Sequence, residues 1–272
     1  MRTNARKDDR YEGVFWVTLE DGSKRLATKN LAPGVSVYGE ALVSDGDNEY
    51  RTWDAYRSKL AAAILRNISV LPLKNGSTVL YLGSASGTTA SHVSDIVGNE
   101  GRVYCVEFAQ RSMRELIDAL CQHRSNVYPI LSDARMPEKY KALVSRVDLI
   151  YCDIAQQQQA KILADNADVF LKPEGWLLIA IKSRSVDVTM EPSDVFKQQI
   201  RVLEERNFKI LQTVRLEPYE QDHAMVLSKR DGKLSSKDRN NQPTHSTWTS
   251  NYSTHRTNAN RFSQLFALGH CE

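Results

Sequence analysis

The middle of the chain alternates short apolar segments with amphipathic helical patterns, and this alternation limits the possible folds more than any other feature. Residues 114–123 illustrate the helical pattern, with Leu116, Ile117 and Leu120 on one face. Strands that alternate with helices predict parallel βαβ units in a doubly wound sheet. The strand candidates are residues 79–82, 103–106, 127–130, 147–151, 176–181, 209–214 and 224–227.

The last two strand candidates are joined by residues 215–223 alone. A connection this short has no room for a crossover helix, so the two strands should pair in antiparallel fashion. The predicted fold is therefore α/β and Rossmann-like, with a mostly parallel seven-stranded sheet that ends in an antiparallel strand.

A different pattern fills residues 1–53, where apolar and polar residues alternate around turn dipeptides. Residues 14–19 and 25–28 resemble a hairpin. Residues 35–38 and 49–53 flank a second turn-rich stretch. We predict a small N-terminal module of antiparallel β-structure.

The module is expected to precede a main domain over residues 54–230 and a tail over residues 231–272. The tail is rich in Asn, Ser, Thr and Arg and has little periodicity. Such a segment buries too little apolar surface to offset the entropy lost on ordering, so we expect it to be mostly disordered.

No run of about eighteen apolar residues is present, and residues 1–10 lack the apolar stretch of a secretory signal. Together these features predict an intracellular protein without a membrane partner. Cys105, Cys121, Cys152 and Cys271 lack the paired short spacings of a zinc site. We expect them to be inert and predict no metal.

The sequence carries a formal net charge of +3 over 272 residues. This balance permits contact with a polyanion but does not indicate one, because proteins that bind nucleic acid alone are usually more basic.

Polar residues follow the carboxyl ends of four consecutive strand candidates, where open α/β sheets bind their ligands. A loop that starts at Gly83 and ends in Thr88 and Thr89 follows the first strand. Glycine allows the backbone to turn tightly and approach a ligand, and a helix N-terminus comes next. Glu107 closes the second strand and suits a hydrogen bond to ribose hydroxyls.

Asp133 and Asp153 follow the third and fourth strands. One carboxylate can accept a hydrogen bond from an adenine amine, and another can face a sulfonium and amino-acid moiety. The loop from Gly83 does not match the G-x-G-x-x-G expected of a dinucleotide site. The pattern therefore favours S-adenosylmethionine, and an NAD-dependent oxidoreductase is the second interpretation.

Three basic residues are candidates for chemistry at the same edge of the sheet. Lys182 ends the fifth strand, where a buried lysine needs a partner such as Asp153. Lys59 lies at the start of an alanine-rich helix, and His223 opens the last strand. A structural ion pair and a solvated helix lysine are the plainer interpretations of Lys182 and Lys59.

The chain resembles the fibrillarin family over roughly residues 11–228. The matching stretches are residues 27–31, 37–40, 57–60, 80–83, 85–98, 106–108, 181–185, 216–220 and 222–224. The archaeal form is the most similar, since no glycine- and arginine-rich arm is present. Two departures are Gln157, where the family usually has proline, and the tail.

The resemblance implies ribose 2′-O-methylation of rRNA, and possibly of tRNA, with S-adenosylmethionine as methyl donor. It implies a catalytic set of Lys59, Asp153, Lys182 and His223. The implied cofactor contacts are Thr88, Thr89, Glu107, Phe108, Asp133, Ala134, Asp153 and Gln156, to which the position of the loop adds Gly83.

The resemblance also implies partners: a C/D box guide RNA with its target, a scaffold protein and a kink-turn-binding protein. The implied location is cytoplasmic for an archaeal protein and nucleolar for a eukaryotic one. Two alternatives stay open, a non-catalytic subunit of an RNA particle and methylation of a protein glutamine. Whether Lys182 acts as a base or as a charged stabiliser is also open.

Overall fold

The N-terminal part of the protein is a five-stranded antiparallel sheet. The computed structural model describes residues 5–230. The strands are β1 Ala5–Lys7, β2 Val14–Thr18, β3 Lys24–Lys29, β4 Leu42–Asp45 and β5 Asn48–Thr52, in the spatial order β1-β2-β3-β5-β4. The predicted hairpin is present, with Trp16 of β2 opposite Leu26 of β3.

The second pair of strands differs from the prediction. Residues 35–38 form no strand, and β5 pairs with β4 instead. The reason is local, because the carboxylate of Glu40 accepts hydrogen bonds from the backbone N–H groups of Val37 and Tyr38 at 2.8–3.1 Å. These donors are then not available to a β-ladder.

The main sheet has seven strands and confirms the predicted fold. Its spatial order is β11-β12-β10-β9-β6-β7-β8. Neighbouring strands from β10 to β8 pair in parallel, whereas β12 is antiparallel to both of its neighbours, β10 and β11. The strands are β6 Thr78–Leu82, β7 Arg102–Glu107, β8 Val127–Leu131, β9 Val147–Cys152, β10 Leu171–Lys182, β11 Phe208–Arg215 and β12 His223–Arg230.

Helices cover both faces of this sheet, as a parallel sheet requires. The helices are α1 Lys59–Leu65, α2 Thr88–Val97, α3 Gln110–Leu116, α4 Gln159–Phe170, α5 Ser183–Val186 and α6 Pro192–Glu205. A π-helical turn, Ile117–Cys121, continues α3, and a 3₁₀ turn spans Pro137–Tyr140. None of the helices between residues 5 and 230 combines the length and apolar character needed to cross a membrane.

Side chains of β6 alternate between two hydrophobic cores. Val79 and Tyr81 pack with α1 and α2 on one face, and Leu80 and Leu82 pack with α4 and α6 on the other.

Three cysteines are buried in the interior. Cys105 lies in β7, Cys152 ends β9 and Cys121 ends the π-helical turn that continues α3. Burial raises the pKa of Cys121 and Cys152 to about 12, so both stay as thiols. Cys271 lies outside the described residues, as does the predicted tail from residue 231.

A buried polar cluster joins the N-terminal sheet to α2. The guanidinium of Arg51 on β5 donates to Glu40, Asp95 and Ser91 at 2.6, 3.2 and 2.7 Å. Arg124 donates to the same Asp95 carboxylate. The side chains of Arg51, Asp95 and Arg124 are fully buried, so each charge depends on its partners instead of water.

Candidate active site

The loop from β6 to α2 is held against the end of β9. Gly83 has φ of +79°, and a Cβ there would lie 2.9 Å from Cγ2 of Ile154 and 3.1 Å from the carbonyl carbon of Asp153. The sequence predicted glycine here for approach to a ligand. The structure adds a second reason, because a side chain at position 83 would displace Asp153 itself.

A cavity of about 360 Å³ opens at the carboxyl ends of β6, β7, β8 and β9. The predicted cofactor residues that line it are Gly83, Glu107, Phe108, Asp133, Ala134, Asp153 and Gln156. Thr88 and Thr89 were also predicted but do not line this cavity. The sheet topology explains why these residues come together, because parallel strands place their carboxyl ends at the same edge of the sheet.

The two carboxylates of the cavity are fixed in different ways. Glu107 accepts hydrogen bonds from the backbone N–H groups of Ala85 and Ala109, at 3.0 and 2.9 Å. Asp133 accepts hydrogen bonds from the guanidinium of Arg135, whose Nε lies 2.9 Å from Oδ2 of Asp133. Hydrogen bonding by Arg135 holds the pKa of Asp133 below its usual value, so this carboxylate is ionised at neutral pH.

Thr89 is buried and its hydroxyl donates to Oγ of Ser58 at 2.9 Å. Ser58 is the N-cap of α1 and accepts a hydrogen bond from the backbone N–H of Ala61 at 3.3 Å. Because Lys59 is the first residue of α1, the cap fixes where the backbone of Lys59 begins. In this structure Thr89 positions a catalytic candidate.

The predicted catalytic residues lie together at the edge of the sheet. The ammonium of Lys182 is 2.9 Å from Oδ1 of Asp153 and 2.7 Å from the backbone oxygen of the same residue. The ammonium of Lys59 is 3.4 Å from that Oδ1. One carboxylate therefore serves two cations, all between 13% and 17% exposed.

His223 is opposite Lys182 in the antiparallel pairing of β12 with β10. Its Nδ1 lies 2.5 Å from the backbone oxygen of Gln221. A carbonyl oxygen can only accept, so Nδ1 carries the hydrogen in this contact. In the neutral ring Nε2 then has the free lone pair, and the imidazole can accept a proton there.

Comparison with known proteins gives one family. The family model for fibrillarin matches residues 5–232, which include both sheets. A fibrillarin-like rRNA/tRNA 2′-O-methyltransferase from Staphylothermus marinus is 55% identical over 226 residues, which are 83% of this chain and 96% of the relative.

The chain belongs to the fibrillarin family.

Solved structures of fibrillarins have the same architecture. Aeropyrum pernix fibrillarin, solved with natively bound S-adenosyl-L-methionine, is 52% identical with a TM-score of 0.78 and matches 84% of this chain and 100% of its own. A fibrillarin/Nop5p complex contains a chain that is 43% identical with a TM-score of 0.73, matched over 82% of this chain and 100% of that one.

Two neighbours of the site in this fibrillarin-family chain had no role in the sequence-based prediction. Arg135 follows Asp133 by two residues and binds it side chain to side chain. Glu220 lies 3.7 Å from the ammonium of Lys59. Glu220 belongs to a stretch that resembles the family, but sequence alone does not show the turn that directs its carboxylate toward Lys59.

Proposed function

We propose that this protein transfers a methyl group from S-adenosylmethionine to a ribose 2′-hydroxyl of rRNA or tRNA, directed by a C/D box guide RNA. The observation that carries the proposal is the pairing of Asp153 with both Lys59 and Lys182 beside a carboxylate-lined cavity. Close relatives named as 2′-O-methyltransferases and a fibrillarin with bound S-adenosyl-L-methionine support the same reaction.

The residues of the cavity fit S-adenosylmethionine. Glu107 offers a fixed carboxylate for ribose hydroxyls, and Asp133 offers an ionised acceptor for an amine. The ring of Phe108 is 71% exposed at the cavity, where an aromatic base can cover it. When bound, the cofactor supplies a methyl group activated by a sulfonium.

Lys182 and Lys59 are assigned to charge stabilisation. Both contacts of the Lys182 ammonium are with acceptor oxygens, and an ammonium has no lone pair with which to take a proton. Its remaining donor capacity suits a hydroxyl oxygen that becomes negative as it loses its proton. Lys59 adds a second positive charge through the shared carboxylate of Asp153.

His223 is assigned to proton transfer. The hydrogen bond from Nδ1 to the backbone oxygen of Gln221 leaves Nε2 free to accept the proton of the acceptor hydroxyl. The electron pair left on the oxygen forms the new bond to the methyl carbon, and the carbon–sulfur bond breaks with its electron pair on sulfur. Lys182 stabilises the oxygen while its charge develops.

Partners are proposed to choose the nucleotide. A net charge of +3 gives little non-specific affinity for RNA, so recognition needs a guide and a scaffold. The fibrillarin/Nop5p complex supports a scaffold protein of this kind. We further propose a kink-turn-binding protein in the same particle and an intracellular location.

A reconstituted particle tests the proposal. The purified chain, a C/D guide RNA, the scaffold and kink-turn proteins and a target RNA are incubated with S-adenosylmethionine, and 2′-O-methylation is mapped by resistance to alkaline hydrolysis. We expect one modified nucleotide, set by the guide. Methylation that ignores the guide would contradict the guided mechanism, and methyl transfer to protein alone would contradict the RNA acceptor.

Lys182→Met tests the catalytic assignment. Turnover should fall at least a thousandfold, about 4 kcal/mol in the barrier, while calorimetry should show affinity for S-adenosylmethionine within about threefold. Lys172→Met is the matched control, because Lys172 is on the same strand and pairs with Asp148 at 2.7 Å. Equal losses of turnover and cofactor affinity in Lys182→Met would mean that Lys182 is structural.

A further inference from the structure

We propose that Glu220 is a positioning residue that orients Lys59 and His223 and stabilises the positive charge that His223 gains during catalysis. The inference rests on the proposed function, because the charge arises when the acceptor hydroxyl gives up its proton. Glu220 lies in the turn between β11 and β12, three residues before His223.

The two oxygens of Glu220 face different members of the catalytic set. Oε1 is 3.7 Å from the ammonium of Lys59, and Oε2 is 3.9 Å from Nδ1 of His223. The side chain is 27% exposed, so water screens these interactions less than those of a surface ion pair. A single carboxylate thus joins the helix that carries Lys59 to the strand that begins with His223.

Charge balance gives this carboxylate its role. Asp153 is shared by Lys59 and Lys182, so it cannot fully offset both cations. A second carboxylate at Lys59 completes the balance. When Nε2 of His223 receives a proton, the ring becomes a third cation, and Glu220 lies on its opposite side at Nδ1.

Other charged groups around His223 do not supply this compensation. Lys182, its partner on β10, carries the same sign as the imidazolium. Asp222 precedes His223, but its carboxylate is held by Arg184 at 2.9 Å. Among residues 5–230, Glu220 is the one acidic side chain within 4 Å of the imidazole nitrogens.

Glu220→Gln in the full chain keeps the shape of the side chain and removes its charge. In the reconstituted particle, kcat should fall about threefold to tenfold, because the imidazolium that forms on His223 loses a neighbouring negative charge. We expect KM for RNA and the calorimetric affinity for S-adenosylmethionine to stay unchanged, because Glu220 acts on the catalytic set and not on binding.

Glu217→Gln is the matched control. Glu217 lies in the same turn and is also 27% exposed, but its carboxylate binds Arg215 at 2.7 Å. We expect it to leave kcat unchanged. Glu220→Asp, which keeps the charge on a shorter side chain, should restore part of the rate.

Three results would overturn the proposal: an unchanged kcat in Glu220→Gln, an equal loss in Glu217→Gln, or no recovery of rate in Glu220→Asp. The wild-type particle separates this inference from the proposed function. A wild-type particle that methylates no RNA would overturn the proposed function, whereas an active wild type with an equally active Glu220→Gln variant would overturn the role of Glu220 alone.

Discussion

Replacement of Asp95 by asparagine is expected to be strongly destabilising. Asp95 on α2 accepts hydrogen bonds from the side chains of Arg51, Arg124 and Thr28 and from the backbone N–H of Leu31. Its side chain is fully buried. The substitution keeps the shape and one acceptor oxygen but removes the charge that two buried guanidiniums share.

The expected loss of stability follows from the partners that each arginine keeps after the substitution. Arg51 keeps Glu40, whose Oε1 lies 2.6 Å from its Nε. Arg124 keeps a hydrogen bond to Asn30 at 3.0 Å but loses its one ion-pair partner among the described residues. Burial already lowers the pKa of Arg124, which shows how costly the unpaired cation would be. We expect the free energy of unfolding to fall by about 3 kcal/mol, the lower end for a broken buried pair.

Asp165→Asn is the control, because Asp165 also pairs with two cations, Lys161 at 2.7 Å and Arg206 at 3.0 Å, but is 30% exposed. Its loss should stay near or below about 1 kcal/mol, as for surface ion pairs. Urea unfolding followed by circular dichroism measures both at constant ionic strength. If Asp95→Asn cost no more than Asp165→Asn, the buried cluster would not be a major source of stability.

Two further outcomes are expected. Burial lowers the pKa of His92 well below its usual value, so at acid pH the unfolded chain binds a proton that the folded protein does not. Between pH 7 and pH 5.5, the free energy of unfolding of the wild type should therefore fall by roughly 1.3 kcal/mol more than that of His92→Gln. Equal falls in the two proteins, measured by urea unfolding at each pH, would contradict this. Gly83→Ala places a Cβ 2.9 Å from Ile154 and should weaken S-adenosylmethionine binding at least tenfold in calorimetry, about 1.4 kcal/mol. Gly22→Ala, with φ of +81° and open space around it, should leave affinity unchanged, so similar losses would contradict the steric argument.

Much of the sheet could be predicted because burial on both faces leaves a strong apolar signal. The largest error in a strand boundary concerns β10, which begins at Leu171 instead of residue 176. Leu171 already pairs with Val147, but the next three residues, Lys172, Pro173 and Glu174, interrupt the apolar pattern on which the prediction depended. The pairing with β9 shifts register between Leu171 and Trp176, so the first part of β10 is an irregular stretch that side-chain pattern does not reveal.

The helix predicted over residues 114–123 shows a different limit of pattern reasoning. The structure starts α3 at Gln110 and passes into a π-helical turn at Ile117. The apolar spacing of Leu116, Ile117 and Leu120 indicates a buried face but not the change of helical type.

Sequence could place the candidate site because its residues end consecutive strands, and topology brings such ends together. The separation of roles within the site required coordinates. Thr88 and Thr89 follow the glycine loop as cofactor contacts would, yet Thr89 is bonded to Ser58. Similarly, only the conformation of a turn directs Glu220 to Lys59.

Buried contacts connect the N-terminal sheet to a site that it does not line. Arg51 of β5 is bonded to Ser91 and Asp95, which fixes α2 against that sheet. At its N-terminus α2 carries Thr89, whose hydroxyl holds the cap of α1 and hence the start of the helix at Lys59. Each of these links is buried in a closely packed interior. The series of contacts thus runs from the N-terminal sheet to the residue whose ammonium lies 3.4 Å from Asp153.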